Sequence, residues 1–276
     1  MPDLLTIISR WWKTILAITL GVTAVALVIL LLQPKQYLSV VTALPAPGFA
    51  SDKARIFSDN IEQLYPTIGT ADELDPVVGT GKLDTLYLAV AAEHNLASYY
   101  GMENASPLKV AQVFKHNSKV EKSEYGELKV KVWDRKPAMA ATLANSLFNK
   151  LQQLHQSLQS QGNALVLQRL QEQYRLLQKA YSGAPDSARQ QPGGAELASL
   201  RRKNLLEQIS QYEKLIAEYS LVLHTNPQAL LVVEMARPAV RADKPRILQV
   251  LLLTAFASLV FGLLLTAGLQ SRKQYG

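Results

Sequence analysis

Two long runs of uncharged, apolar residues stand at opposite ends of the chain, Ile15 to Leu32 with 18 residues and Ile247 to Leu269 with 23. At about 1.5 Å per helical residue they reach roughly 27 and 35 Å. The hydrocarbon layer of a bilayer is about 30 Å thick, so each run is predicted to span a membrane. Trp11, Trp12 and Lys13 precede the first run, Arg246 precedes the second, and Arg272 and Lys273 follow it. Such aromatic and basic residues settle at the headgroup level. A cleaved signal peptide is the competing reading of the first run. The run is longer than a usual signal core, and only Ala43-Leu44-Pro45-Ala46-Pro47 follows it, with no clean small-x-small site, which favours a retained anchor. The second run lacks a polar face, which argues against a buried core helix. The expected organisation is a tail over 1–13, a span over 14–33, an extramembrane domain over 34–245, a second span over 246–269 and a tail over 270–276.

Between the runs the period alternates between strand and helix. Tyr37 to Leu44 is aromatic and β-branched and is closed by Pro45 and Pro47, which predicts a strand. Asp52 to Leu64, with Ser51 as cap, Leu83 to His94, and Pro107 to Lys115 are predicted short helices. Ser118 to Lys122 and Gly126 to Trp133, the latter alternating Leu128, Val130 and Val132, read as a hairpin through Glu124-Tyr125-Gly126-Glu127. From Pro137 the period becomes helical, with Leu143, Leu147, Leu151, Leu154 and Leu158 at steps of three and four, continuing to about Tyr181. A Gly, Pro and small-polar segment from Gly183 to Gly194 breaks it. A second helix from about Glu196 to His224 carries Leu205, Ile209, Tyr212, Ile216, Tyr219 and Leu223, a heptad seam. The two helices predict an antiparallel, coiled-coil-like arm over about 137–224, and Leu230 to Met235 a returning strand. The fold class expected is α+β: two transmembrane helices flanking an α+β domain from which the helical arm projects.

Two spans put both tails on one side of the membrane and the domain on the other. The short basic leader with Arg10 and Lys13 favours cytoplasmic tails, since a long domain translocates largely regardless of its charge. In a bacterium with two membranes the domain is then periplasmic. With roughly ten and seven residues outside the spans, the tails are expected to carry no kinase, signalling or nucleotide-binding domain.

Composition adds exclusions. Of 276 residues, 48% are hydrophobic and 18% charged, and there is no cysteine. That removes thiol catalysis, disulfides and cysteine-based metal sites. The mean hydropathy of +0.03 averages two anchors with a water-soluble middle. Gly79-Thr-Gly-Lys82 lacks the first glycine and the hydroxyl of a phosphate loop, Pro76 and Leu83 standing there, so a turn before a helix is expected. His94, His116, His155 and His224 show no metal-ligand spacing, and no nucleophile elbow is present. No catalytic residue, metal or cofactor is therefore expected. The net charge of +7 leaves only +4 once the tails are set aside, spread along the middle except at Arg201-Arg202-Lys203. Nucleic acid is not the expected partner; anionic lipid and anionic glycan stay open. In the second span Ala255, Ser258, Gly262 and Thr266 put small side chains on one face, the pattern of close helix approach.

Three stretches carry a family likeness. Trp12, a span, then Pro34-x-x-Tyr37-x-Ser39 form the first. The second runs Val130-Lys-Val-Trp-Asp134-Arg-Lys-Pro137-Ala-Met-Ala-Ala141-Thr-Leu-Ala144-Asn145-Ser-Leu147. The third is Ala236-Arg-Pro238-Ala-Val-Arg241-Ala-Asp243-Lys-Pro245-Arg246 leading into a span. In order and in the two-span plan they resemble the Wzz chain-length determinants, the polysaccharide co-polymerases. Arg241 stands where a further proline is often found. The resemblance implies an inner-membrane, non-enzymatic regulator of the modal length of a surface polysaccharide, most simply lipopolysaccharide O-antigen. It implies a homo-oligomeric ring, an integral-membrane polymerase as partner, and undecaprenyl-linked glycan as the polymer at hand. The positions carried over are Pro34, Tyr37, Asp134, Pro137 and Asn145, with Pro238, Pro245 and Arg246 as a membrane-entry segment. On physical grounds Asp134 caps the long helix at Pro137, Pro238 and Pro245 fix the entry to the second span, and Asn145 makes a surface or side-chain contact. The arm, the sheet edges and the face of Ala255, Ser258, Gly262 and Thr266 are the expected contacts to neighbours or the polymerase. A structural adaptor for capsule or exopolysaccharide export lacking a cytoplasmic kinase domain is the alternative, and a two-span sensor a more distant one.

Overall fold

The structure, a computed structural model, describes residues 4–46, 71–183 and 194–275. The helix expected over Asp52 to Leu64 lies outside these residues. In chain order the elements are α1 (Leu4–Leu32), β1 (Tyr37–Pro45), a 3-10 turn (Ala71–Glu73), α2 (Leu74–Thr80), α3 (Asp84–Glu93), α4 (Leu96–Tyr99) and α5 (Pro107–His116). They continue with β2 (Ser118–Lys122), β3 (Leu128–Asp134), α6 (Pro137–Ser182), α7 (Gly194–Thr225), β4 (Leu230–Glu234) and α8 (Ile247–Tyr275). The fold is α+β, as the alternating periods predict. Its four strands form one sheet in the order β2-β3-β1-β4, with β4 antiparallel to β1 from Thr42 opposite Glu234 to Pro45 opposite Leu230.

The chain divides into two compact units. One comprises Met1–Val40, Lys131–Leu143 and Ala236–Gly276, the other Val41–Val130 and Ala144–Met235. The second holds a packed core. Val41, Val90, Phe114, Leu128, Val130, Leu147 and Leu151 are fully buried, each contributing about 1.5–3 kcal/mol of burial relative to exposure. Tyr87 meets Phe114 edge-on, ring centres 5.5 Å apart, and its hydroxyl donates to the Gly81 carbonyl at 2.8 Å. Helix α5 starts where the sequence supplies both a cap and a proline. Ser106 Oγ accepts from the Lys109 amide, and Pro107, with no N–H to satisfy, occupies the first turn. The β2-β3 hairpin closes through Gly126 at φ +75°, whose amide donates to Ser123, a conformation that favours glycine.

The Gly79-Thr80-Gly81-Lys82 segment holds the expected turn before a helix only in its second half, ahead of α3. Gly79 and Thr80 finish α2, and only Gly81 and Lys82 turn. Thr80 Oγ1 bonds back to the Pro76 and Val77 carbonyls and sits 2.6 Å from His155 Nε2. Helix α4 also went unforeseen; it is one turn long and is entered through Asn95 at φ +47°.

The arm is thinner than its length suggests. No residue from 152 to 183 or from 196 to 218 is fully buried. Along α7 the half-buried positions include Leu205, Ile209, Tyr212 and Ile216, which is the foreseen seam. On α6 they include Asn163, Leu167, Leu170, Tyr174 and Leu177, again at steps of four and three. Tyr174 donates to Glu213 across the pair at 2.6 Å.

Candidate functional site

The unit of 1–40, 131–143 and 236–276 gathers most positions of interest. Two of its helices are long and apolar enough to cross a membrane, over Trp11–Leu32 and Ile247–Thr266. They pack on one another. On α8, Ser258, Gly262 and Thr266 are buried and Ala255 is half-buried, so the small-residue face is turned inward. A Cβ placed on Gly262 would lie 3.4 Å from Ile15 Cγ2 and 3.7 Å from Ile15 Cα. Ile15 lies 17 residues before Leu32, and Gly262 lies 15 after Ile247, which puts both at roughly 22–26 Å along their helices. The spans thus run antiparallel with matched depth. The face that sequence reasoning offered to a neighbour or a polymerase meets α1 of the same chain. Hydroxyls in the spans are satisfied locally: Thr19 bonds to the Ile15 carbonyl, Ser258 to Ala255 and Thr266 to Gly262.

Where the chain leaves one span and re-enters the other, the backbone is pinned. Gln36 and Lys244 form an antiparallel bridge. The Gln36 amide donates to the Lys244 carbonyl at 3.0 Å, and the Asp243 amide donates to the Gln36 carbonyl at 2.9 Å. Three residues on, Ser39 Oγ donates to the Arg237 carbonyl at 2.9 Å. From β3, Trp133 Nε1 donates to Asp243 Oδ2 at 2.8 Å, while Lys244 Nζ lies 4.3 Å from the centre of the Trp133 ring. Arg246 reaches Asp243 Oδ1 at 3.3 Å. The hydrogen bond from Trp133, with those from Arg246 and the charges of Arg246 and Lys244, holds the Asp243 carboxyl below the usual carboxylate range. We call this set of contacts the juxtamembrane clamp.

The remaining positions fall around it. Pro34 is exposed just after α1, and Tyr37, half-buried, begins β1. Pro238 is exposed and Pro245, in a cis peptide with Lys244, is half-buried ahead of α8. Asp134 is buried, and its Oδ1 accepts from the Lys136 amide at 2.9 Å. That is an Asx turn, which delivers the chain to Pro137 at the first position of α6 one step earlier than a side-chain N-cap bond would. Asn145 is half-buried on α6 and belongs to the other unit. Sequence reasoning singled out Pro238, Pro245 and Arg246 and passed over Gln36, Trp133 and Asp243 as site residues. A signal existed for one of them. Trp133 stands on the opposite parity from Leu128, Val130 and Val132, so a large aromatic occupies the face of β3 turned away from the core residues.

Charge is distributed differently from the expectation. Outside the tails this unit carries eight Lys and Arg against two Asp, Asp134 and Asp243. The other unit holds 17 Lys and Arg against 19 Asp and Glu. The surplus that looked dispersed along the sequence is collected at the membrane end, because 33–40, 131–136 and 236–246 come together there.

No family model matches the sequence, and no curated protein matches it. Among solved structures, a full-length bacterial polysaccharide co-polymerase is similar at 17% identity and a TM-score of 0.42, over 100% of this chain and 99% of that one. A fragment of WzzB, a polysaccharide co-polymerase from Salmonella Typhimurium, is similar at 15% identity and a TM-score of 0.33, over 76% of this chain and 100% of that one. A point mutant of the Shigella flexneri lipopolysaccharide O-antigen chain-length regulator WzzBSF is similar at 13% identity and a TM-score of 0.36, over 76% and 100%.

Proposed function

We propose that this chain is a polysaccharide co-polymerase that sets the modal length of a surface polysaccharide, O-antigen of lipopolysaccharide in the first instance. The observation that carries the reading is the juxtamembrane clamp. The three stretches that resemble the chain-length determinants are separated by about 90 residues each along the sequence, yet they bond to one another at Ser39 with Arg237, Gln36 with Lys244, and Trp133 with Asp243. A likeness spread over distant segments is then a likeness of one three-dimensional feature. In this reading the tails are cytoplasmic, the domain is periplasmic, and the role is one of organisation without chemistry.

Copies of the chain assemble into a ring beside the polymerase that extends undecaprenyl-linked glycan. Two surfaces suit contacts between copies. Among the described residues strand β4 is an edge strand with Leu231, Val232 and Val233 on its exposed residues, and an open apolar edge calls for cover. On α6, Leu158, Leu165 and Leu176 are all about half or more exposed. Their spacings of seven and eleven return them to one helix face, away from the seam with α7.

The test is the lipopolysaccharide ladder on a gel with the gene deleted, restored, and restored as Leu165→Glu. Deletion is expected to spread the modal length, restoration to return it, and Leu165→Glu to fail while lowering the mass of the purified assembly. An unchanged ladder on deletion refutes the O-antigen reading. A changed capsule or exopolysaccharide beside an unchanged ladder reassigns the chain to export.

A further inference from the structure

The clamp does more than hold two strands together, because it gathers more cations than the described carboxylates beside it, Asp134 and Asp243, can balance. Lys35, Arg135, Arg237, Arg241, Lys244 and Arg246 are all exposed. Among the described residues Arg246 alone of these six pairs with a carboxylate, that of Asp243. Lys35 lies three residues beyond the end of α1 and Arg246 immediately ahead of α8, which sets both within roughly 10 Å of the ends of the spans at strand-like extension. Arg237 is fixed level with Ser39 by the hydrogen bond to its carbonyl. Between Arg237 and Arg241 the chain offers Pro238, Ala239 and Val240, and Val240 is 95% exposed, the highest value of any large apolar side chain among the described residues. An almost fully exposed valine between two arginines that meet no carboxylate among the described residues, beside a pair of spans, is an apolar tip with a cationic rim. Leaving Val240 in water forgoes burial that an apolar interface provides, and the positive side chains are screened over only about 8–10 Å, so they act on a charged surface at that range and hardly farther.

We infer that the segment from Arg237 to Arg246, with Lys35 and Arg135, docks on the anionic phospholipid headgroups of the bilayer the spans cross, Val240 entering the interface. The inference stands whether or not the chain is a co-polymerase, since it rests on exposure, charge and the position of the spans. Its consequence is that the loop ahead of α8 is held down by lipid, so that membrane composition tightens or loosens the base of the domain.

The absence of cysteine makes the test direct. The full chain carrying Val240→Cys, labelled with an environment-sensitive fluorophore, is reconstituted in vesicles of phosphatidylcholine with rising fractions of phosphatidylglycerol. The expected result is a blue-shifted probe, quenched by brominated lipid as the anionic fraction rises. The shift reverses in 1 M NaCl, where screening shortens to about 3 Å. Arg237→Gln with Arg241→Gln lowers the docking equilibrium roughly fivefold per charge, and Arg237→Lys with Arg241→Lys restores it, which a merely structural role for the arginines does not allow. A probe that stays in water at every composition overturns the inference, as does one that docks equally in pure phosphatidylcholine. Equal shifts for the Gln and Lys pairs also overturn it. A shift produced in phosphatidylcholine by added inorganic diphosphate points instead to a soluble-anion site and likewise refutes it.

Discussion

Replacing Gly262 by leucine tests the packing of the two spans at the point where the structure leaves least room. A Cβ alone sits 3.4 Å from Ile15 Cγ2 and 3.9 Å from Ile15 Cβ, ordinary contact distances, so Gly262→Ala is expected to be tolerated. Leucine adds three further carbons on the same line. Ile15 is 8% exposed and cannot swing out without uncovering the groove it fills, so the helices must separate. Overpacking of this kind costs about 1–3 kcal/mol, a loss of roughly 5- to 150-fold in the ratio of paired to unpaired spans. In lipid no hydrophobic term opposes the separation, because association there rests on close packing itself. Nitroxide labels at Val22 and Phe256, exposed and at matched depth, report it by electron-electron distance measurement in the full chain in nanodiscs. The leucine variant is expected to lengthen the distance by about 2 Å toward the ordinary range of helix pairs, the alanine variant to leave it alone, and Ile15→Ala in the leucine background to recover most of the change. If alanine separates the spans as much as leucine, or Ile15→Ala gives no recovery, the contact between Gly262 and Ile15 is not what sets their spacing.

Three further outcomes concern residues outside the spans. Trp133→Phe removes the donor to Asp243 and is expected to cost about 1–3 kcal/mol. Since the Asp243 carboxyl is held low, the stability it lends is present above the ordinary value near 3.9 and is lost as the pH falls through the lower folded value. Thermal melts from pH 5 to 2 should show that loss moved upward in Trp133→Phe. His155 is depressed by burial, so the folded chain keeps it neutral while the unfolded chain takes up a proton. Stability is expected to decline as the pH falls below about 6.5 through the folded value, and His155→Gln to flatten the decline in melts between pH 7 and 5. Gly81→Ala would set its Cβ 2.8 Å from Val120 Cγ1, and chemical denaturation should show a loss of about 1–3 kcal/mol that Val120→Ala largely relieves.

What the sequence disclosed and what it hid divide along a physical line. Features fixed by local period were legible. The spans follow from uncharged length, β3 from the alternation of Leu128, Val130 and Val132, and α7 from a seam that reappears as a row of half-buried positions. Short helices were not, because α4 has four residues and α2 contains both a proline and a glycine, leaving no period to read. The partners of a face were not legible either. A small-residue stripe announces close approach and says nothing of what approaches, and here the answer is Ile15, nearly 250 residues away in sequence. The candidate site suffered most from this. Pro238, Pro245 and Arg246 stood out through the resemblance, while Gln36 and Asp243 act through backbone and carboxylate contacts over some 200 and 110 residues. Net charge was summed along the chain when what mattered was its sum in space.

The thinness of the arm gives it a use as a gauge. From 157 to 183 no residue of α6 is fully buried, so hydrogen exchange there is expected to proceed by local opening at a small fraction of the global unfolding energy. Any surface that closes over Leu158, Leu165 and Leu176 slows that exchange without altering the core around Phe114 and Leu147. Amide exchange along α6, residue by residue, therefore measures how much of the arm is covered at a given concentration of chain, with the core serving as its internal standard.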